Sequence, residues 1–304
     1  MLLGTILFAI SIGDGTEALG AWVLLTSILV IGLPHGACDF WLLKERTPDK
    51  TSLVGFAKTL AWYTSIATLV AVVWFILPEI SLLVFLFLTA LHFGSGDEAW
   101  ASDKNFSIVP ALLRGLMIVS GPIGFHPADS VSVLNALVRA DGTSRFTEGI
   151  LEYSIYIFIG AAFALGFYEI YRSIRTKTFT ANRIAEPILI GIFFYLVSPL
   201  LAVAIYFVAV HSWRHVFRLE LYDRPSSDIG EDGLVASFAN FYKKALPITV
   251  LSLLGLIVIF FVFRSDLSIL SQWTSAYLIL LSALTVPHAF LIRRMEKGLG
   301  EPLS

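Results

Sequence analysis

Long apolar runs, such as residues 53–77 and 244–263, limit most strongly what this chain can fold into. Each is long enough to cross a hydrocarbon core roughly 30 Å thick. Only 14% of the residues are charged and 57% are hydrophobic, whereas soluble domains contain about 25% charged residues. Because helices satisfy their own backbone in lipid, the sequence predicts an all-α, polytopic transmembrane bundle of about 8–10 helices. Residues 1–304 are expected to form a single integral membrane domain.

Prolines separate segments that would otherwise be too long for one crossing. Residues 54–94 as one helix would extend about 60 Å, twice the membrane thickness, so Pro78 is predicted to end the first half. Residues 187–219 would extend about 50 Å, and Ser198-Pro199 is predicted to divide them. The predicted segments are 1–12, 18–43, 54–77, 79–94, 107–124, 149–171, 187–198, 199–219, 244–264 and 273–292.

The basic residues support this arrangement. With the N-terminus inside, 16 of the 21 Lys and Arg fall on one side of the membrane and three on the other, while Arg114 and Arg214 lie within spans. Such an asymmetry is typical of the positive-inside rule. It predicts a multi-pass protein of the cell (inner) membrane with a cytoplasmic C-terminus. The two longest loops are expected at 125–148 and 220–243.

Histidines concentrate at one depth. On this topology five of the six histidines lie in the cytoplasmic half of the membrane, about 3–12 Å from its inner boundary, and His126 lies at the outer surface. Ionisable residues inside a membrane are costly and point to function, although a single one often serves only as a hydrogen-bonding partner between helices. The five are His35, His92, His211, His215 and His288.

Spacing adds detail to this cluster. His211 and His215 are four residues apart, so they share a helix face and can chelate one ion. Arg214 lies in the same arc, where a neighbouring cation would disfavour imidazolium, or it extends to the headgroups. Asp39 and Asp97 are candidate counter-charges, and Asp39 could also orient the ring of a ligand histidine.

Two further histidines follow prolines, in Pro34-His35 and Pro287-His288. A proline inside a helix removes a hydrogen bond and kinks the helix, which would aim the next side chain inward. An ordinary transmembrane proline is the alternative.

Imidazole ligands without thiolates suit zinc, copper, nickel or iron, and the single cysteine, Cys38, excludes a thiolate cluster. The sequence has no G-x-S-x-G motif, no H-E-x-x-H motif and no carboxylate pair within a predicted span. A site at lipid depth favours a hydrophobic substrate, and some of the 24 phenylalanines could line its passage.

Four motifs, in order from about residue 18 to 294, resemble those of the Brp/Blh family of membrane β-carotene 15,15′-dioxygenases. The resemblance implies a ferrous enzyme, Fe(2+), that uses O₂ to split β-carotene into two all-trans-retinal molecules. It implies catalytic metal ligands at His35, His92, His211 and His215. Roles next to the metal or the substrate fall to His288, Asp39, Asp97, Arg214 and Trp213. The motifs are Gly32-Leu33-Pro34-His35-Gly36-Ala37-Cys38-Asp39, Leu91-His92-Phe93-Gly94-Ser95-Gly96-Asp97, His211-Ser212-Trp213-Arg214-His215 and Val286-Pro287-His288.

The same resemblance implies β-carotene and retinal as ligands, the lipid bilayer as surroundings, a retinal-binding rhodopsin as product acceptor, and no nucleic acid partner. Three alternatives use the same residues differently. A two-iron desaturase would need H-x-x-H-H clusters, which the sequence lacks. A haem electron carrier would use histidines of two helices as axial ligands, and a proton-coupled transporter would use Asp39, Asp97 and the histidines as a relay.

Overall fold

The computed structural model describes residues 17–34, 36–37, 53–101, 107–139, 144–216, 229–263 and 268–298, and within these ranges every regular element is helical. The all-α class is therefore confirmed, and ten α-helices lie within the range predicted. In chain order they are α1 Glu17–Ser27, α2 Leu53–Ile76, α3 Pro78–Ala101, α4 Ile108–Phe125, α5 Pro127–Val138, α6 Arg145–Thr176, α7 Ala181–Leu196, α8 Pro199–Tyr206, α9 Ile229–Val262 and α10 Ile269–Gly298.

Two short π-helical segments continue regular helices. Ile28–Gly32 follows α1, and Phe207–Ser212 follows α8. A π segment inserts an extra residue into a helical turn and is frequent at functional sites. One of these two contains His211, and the other ends three residues before His35.

Seven helices in the described part of the chain are long and apolar enough to cross a membrane. Their outer surfaces carry exposed apolar side chains, such as Phe163, Phe167 and Ile174 on α6, which suit lipid rather than water. The chain is therefore a multi-pass membrane protein. The spans are Ala57–Ile76, Pro78–Ala99, Ile108–Phe125, Arg145–Thr176, Pro199–Val216, Phe241–Val262 and Ile269–Leu291.

Both proline divisions are confirmed: α2 ends at Ile76 before Pro78, and α7 ends at Leu196 before Pro199. Other boundaries were wrong. Helix α3 continues to Ala101 instead of ending at 94, because the Gly-Ser-Gly-Asp sequence that favours a turn stays helical against α4. Helix α9 begins at Ile229 instead of 244, so much of the predicted loop 220–243 is helical. The predicted segment 1–12 lies outside the described residues.

Helix α5 occupies a stretch that was predicted to be a loop. Pro127 stands at its first turn, where a missing N–H costs nothing. Arg139 ends the helix in the left-handed conformation, with φ of 55° and its N–H bonded to the carbonyl of Asn135. Its buried side chains include Leu134 and Leu137, and these contribute to the largest apolar cluster of the described bundle. The helix is too short and too polar for hydropathy to reveal it.

Small residues bring α3 and α4 into very close contact. A Cβ atom added to Gly94 would lie 1.8 Å from the carbonyl oxygen of Ala111, and one added to Gly115 would lie 1.7 Å from that of Ala90. The two helices are thus antiparallel, with Ala90 beside Gly115 and Gly94 beside Ala111. Paired small residues four apart allow such contact in membranes. This contact holds the turn of α3 that carries His92.

Candidate metal centre and substrate cavity

Four histidines from three transmembrane spans meet inside the bundle. The Nε2 atoms of His92 on α3 and His211 after α8 are 3.0 Å apart. The ring of His288 on α10 lies 4.8 Å from that of His92 and 5.6 Å from that of His215, between centroids. His211, His215 and His288 are each at most 5% exposed. These four histidines, which were predicted to share one depth, therefore also lie next to one another across the bundle.

The π segment sets the position of His211. Within it, Phe207 stacks on the ring of His211 at an interplanar angle of 14°, and Phe93 lies 4.4 Å from the same ring. Gly32, at the end of the other π segment, makes room for Phe207, since a Cβ there would lie 2.7 Å from its ring. The two π segments therefore pack together and enclose His211 in aromatic rings.

Gly36, which follows the predicted ligand His35 in the sequence, lies beside this cluster. His35 and Asp39 lie outside the described residues, so their predicted roles stay predictions. Their neighbour Gly36 is described, and a Cβ atom on it would lie 3.5 Å from Nδ1 of His288. The backbone next to His35 is therefore in contact range of the histidine cluster.

His126 was predicted to lie apart from the other histidines. It follows the last residue of α4, and its Nε2 is 3.0 Å from the carbonyl oxygen of Phe194. In the antiparallel register of α3 and α4, residue 113 is level with His92. His126 is thirteen residues further on, which separates it from that level by about 20 Å along the helix.

The His92–His211 pair fits one metal ion. Two ligands bound at about 2.1 Å and at a right angle are about 3 Å apart, the distance seen between these Nε2 atoms. The same distance also suits a hydrogen bond between two neutral rings. No group of three His, Cys, Asp or Glu side chains among the described residues is close enough together to hold an ion. A complete site therefore requires His35, or movement of His215 and His288 toward the pair.

Arg214 is held on the polar side of this cluster. Its guanidinium donates to Asp97 at 2.9 Å and to Glu186, and Tyr206 donates to the same Asp97 carboxylate at 2.7 Å. Asp97 is thus the counter-charge that the sequence suggested, and Arg214 does not extend to the headgroups. Because two carboxylates balance it, Arg214 is not the free cation expected to keep the imidazoles neutral. Trp213 beside it is partly exposed.

A larger buried ion network continues from this pair, and sequence reasoning missed most of it. Arg183 bonds Glu98 at 2.8 Å and Glu169 at 2.9 Å, and Arg114 lies 3.3 Å from Glu98. Burial lowers the pKa of Arg183, but hydrogen bonds to Glu169 and Glu98 outweigh it and raise that pKa above its ordinary value. The network's members are Asp97, Glu98, Arg114, Glu169, Arg172, Arg183, Glu186 and Arg214.

This network corrects one expectation. The sequence was interpreted as having no carboxylate pair within a span, yet Asp97 and Glu98 lie within the span Pro78–Ala99 and each is 1% exposed. The error follows from the wrong end of α3. An arginine and a glutamate in apolar spans, Arg114 and Glu169, were the available signals.

Two cavities lie close to the histidines. The first, here called the histidine cavity, has a volume of about 40 Å³ and is lined by residues including His92, His288, Gly36 and Tyr63. The second, here called the apolar cavity, is the larger of the two and has a volume of about 130 Å³. None of the described residues that line the apolar cavity is charged. The side chains common to both walls are Phe93, Phe207 and Leu281.

A groove on the lipid-facing side lies next to the apolar cavity. This lateral groove has a volume of about 390 Å³ between α3, α4 and α6, and its wall includes the exposed side chains of Phe87 and Tyr153. Leu86, Val119 and Ile123 line both the groove and the apolar cavity. These three side chains therefore form a common wall of the lateral groove and the apolar cavity.

The fold and the site define a class: multi-pass α-helical membrane proteins whose clustered histidines line a cavity with mostly apolar walls. The family model of β-carotene 15,15′-dioxygenase matches residues 26–296, and the chain belongs to this family. The chain is similar to the probable β-carotene 15,15′-dioxygenase Blh of Halobacterium salinarum, with 27% identity over 293 residues, 91% of this chain and 84% of the relative. It is 28% identical over 197 residues to a β-carotene 15,15′-dioxygenase of an uncultured marine bacterium, covering 64% and 67% of the two chains. No solved structure matches.

Proposed function

We propose that this protein is an iron-dependent dioxygenase that uses O₂ to cleave the central 15,15′ double bond of β-carotene into two all-trans-retinal molecules. The observation that carries this proposal is a histidine pair 3.0 Å apart, of which His92 lines a cavity without Asp, Glu, Lys or Arg among its described lining residues. The names of the two relatives supply the reaction. The histidine pair supplies a place where it can occur.

His35, His92, His211 and His215 are the proposed ligands of a ferrous ion. Imidazole nitrogen is a ligand type that iron accepts. When bound, iron supplies the activation of O₂. His288 lies between His92 and His215, so it is proposed to act as a further ligand or to border the substrate.

The chain's own residues bind and orient the substrate. A carotene has no polar group to recognise, so binding must come from shape and apolar contact. Phe93 and Phe207 pack against His211 and line the apolar cavity, so they are the proposed aromatic surface next to the reacting bond. Positioning and the exclusion of water are the contributions expected of such a pocket.

The ion network is proposed to position the histidines without taking part in the chemistry. Arg214, one residue before His215, is bonded to Asp97 on α3 and to Glu186 on α7. It therefore ties the segment that carries two histidines to the helix that carries His92. No proton donor or acceptor is required, since the reaction breaks one C=C bond and forms two C=O bonds from one O₂.

The test is expression in cells that produce β-carotene, followed by quantification of carotene and retinal and of iron in the purified protein. The wild-type chain is expected to consume carotene and release retinal. His92→Ala and His211→Ala are expected to abolish cleavage and lower bound iron, because each removes a ligand. His126→Ala is the matched control and should preserve both. Retinal formation by a His211→Ala protein without iron would refute the proposal.

Iron content and absorption also separate the alternatives. About one iron per chain without a Soret band is expected. A haem band would indicate the electron carrier, and about two irons per chain would indicate the desaturase type of site. Absence of metal would indicate a transporter, or a plain hydrogen bond between His92 and His211.

The proposed environment is the inner membrane of the cell, with the C-terminus in the cytoplasm, and it rests on the distribution of Lys and Arg. Protease access to a C-terminal tag in inverted vesicles tests this orientation. Retinal stays in lipid, so a retinal-binding rhodopsin in the same bilayer is the proposed acceptor.

A further inference from the structure

The apolar cavity begins at Phe93, the neighbour of His92, and extends in one direction to α5. On α3 its lining runs from Phe93, next to His92, back to Leu82. On α10 it runs from Leu281 back to Tyr277, away from His288. Helix α5 contributes Leu134 to the same wall.

The packing of α3 on α4 places α5 at the far end of this cavity. Since Ala90 lies beside Gly115 and Gly94 beside Ala111, the antiparallel register sets Leu82 level with Ile123. Helix α4 ends two residues later at Phe125, and α5 begins at Pro127. Helix α5 therefore starts near the level at which the α3 lining of the cavity ends.

The length of the cavity follows from the helical rise. Leu82 and His92 are ten residues apart on α3, which corresponds to about 15 Å. Leu278, another lining residue, and His288 are also ten residues apart on α10 and give the same distance, about 15 Å. This length is comparable to one half of a β-carotene molecule, from its central double bond to its terminal ring.

We infer that the apolar cavity holds one half of the β-carotene molecule and that α5 blocks further entry of its terminal ring. The distance from α5 to the histidines then selects the central double bond for cleavage. The inference rests on the proposed function and goes beyond it by assigning the choice of bond to Leu134 and its neighbours on α5. The second half of the substrate is placed along the histidine cavity, which is lined by His92 on α3, by His288 on α10 and by residues of α2 and α9.

The inference has a chemical consequence. A ring that stops earlier or later than in the wild-type protein brings a neighbouring double bond next to the histidines. Cleavage there still consumes one O₂, breaks one C=C bond and forms two C=O bonds. The products, however, are a ketone shorter than retinal and an aldehyde longer than retinal, because the neighbouring bond carries a methyl group on one carbon.

Leu134 is the position to change, since it is 4% exposed and lines the cavity. Leu134→Phe fills the end of the cavity and Leu134→Ala lengthens it. Val133→Phe, at a partly buried position in the same wall, is a second filling variant. The matched control is Leu165 on α6, which is 2% exposed and packs in a separate cluster. Leu165→Phe and Leu165→Ala therefore change a buried leucine away from the cavity.

Products from β-carotene are quantified by chromatography after normalising for protein amount and thermal stability in detergent. Each variant at 133 and 134 is expected to raise the ratio of off-centre products to retinal by about tenfold or more, the ratio that a difference of about 1.4 kcal/mol between two binding registers gives. The Leu165 variants should keep the wild-type ratio. If Leu134→Phe does not fold, the product ratios of Val133→Phe and Leu134→Ala test the inference.

Retinal as the sole product of every folded variant at 133 and 134 would overturn the inference while leaving the proposed function intact. Equal off-centre cleavage by the Leu165 variants would overturn it as well, because general loosening would then suffice. A wild-type protein that makes no retinal would instead refute the proposed function itself.

Discussion

The contact between α3 and α4 predicts that one added methyl group disables the site. A Cβ at position 115 would lie 1.7 Å from the carbonyl oxygen of Ala90, whereas real Cβ contacts essentially never fall below 3.0 Å. Gly115→Ala must therefore separate the two backbones locally by about 1.3 Å, since neither atom belongs to a flexible side chain. His92 lies two residues beyond Ala90, so the displacement reaches it.

The expected cost is larger for activity than for stability. Overpacking of this kind typically destabilises by about 1–3 kcal/mol, which a multi-pass bundle can tolerate. A displacement of about 1 Å at a reacting group lowers rates by about 100-fold, and metal sites require ligand distances within about 0.2 Å. Gly115→Ala protein is therefore expected to be present in the membrane, with reduced bound iron and retinal formation about 100-fold lower.

The assay compares retinal formed per amount of membrane protein, together with thermal unfolding in detergent. Gly166→Ala on α6 is the control, since nothing lies within 4 Å of a Cβ at that position. It should retain activity, and its stability should stay the same or rise by up to about 1 kcal/mol. A Gly115→Ala protein with wild-type activity and unfolding temperature would refute the close contact and the placement of His92 that depends on it.

Two further predictions concern the ion network. Arg183→Met leaves Glu98 and Glu169 each without one of their guanidinium partners, and the unfolding free energy should fall by about 3–5 kcal/mol. The double variant with Glu98→Gln should be more stable than Arg183→Met alone in the same detergent assay, and an equal or lower stability would contradict the pairing. Asp97→Asn removes the charge bonded to Arg214 at 2.9 Å, and retinal formation should fall by about 10–100-fold. An Asp97→Asn protein with full activity would reduce this contact to a role in folding.

The helical class and most transmembrane spans could be predicted because they depend on properties that follow the chain. Hydropathy sums over a window, and a proline interrupts a helix wherever it stands. The depth of a histidine follows in the same way from its distance to a charged boundary. These arguments are independent of how the helices face one another, so they could place His92 and His211 at one level without showing that their nitrogens touch.

The features that were missed depend on contacts between helices. The π segment at Phe207–Ser212 has no distinct sequence pattern. It becomes evident only in the structure, where Phe207 packs against Gly32. Helix α3 extends through Gly94, Ser95 and Gly96 because Gly94 allows its backbone to lie directly against α4. Close packing between helices therefore overrode the local turn signals. In membranes, small residues stabilise helix pairs by allowing such close approach.

An apolar cavity and a network of buried charges occur in one bundle. Arg214 ties the His211–His215 segment to α3 and α7 through Asp97 and Glu186, and the remaining pairs connect α3, α4, α6 and α7. Equal numbers of guanidinium and carboxylate groups leave no net charge to solvate in the described part of this network. Apolar contacts alone tolerate sliding between helices, whereas directional ion pairs hold one register. Under the proposed function, one bond of a featureless hydrocarbon must lie beside the histidines, which requires a fixed register of the helices. The network holds such a register, and none of its members is among the described residues that line the apolar cavity.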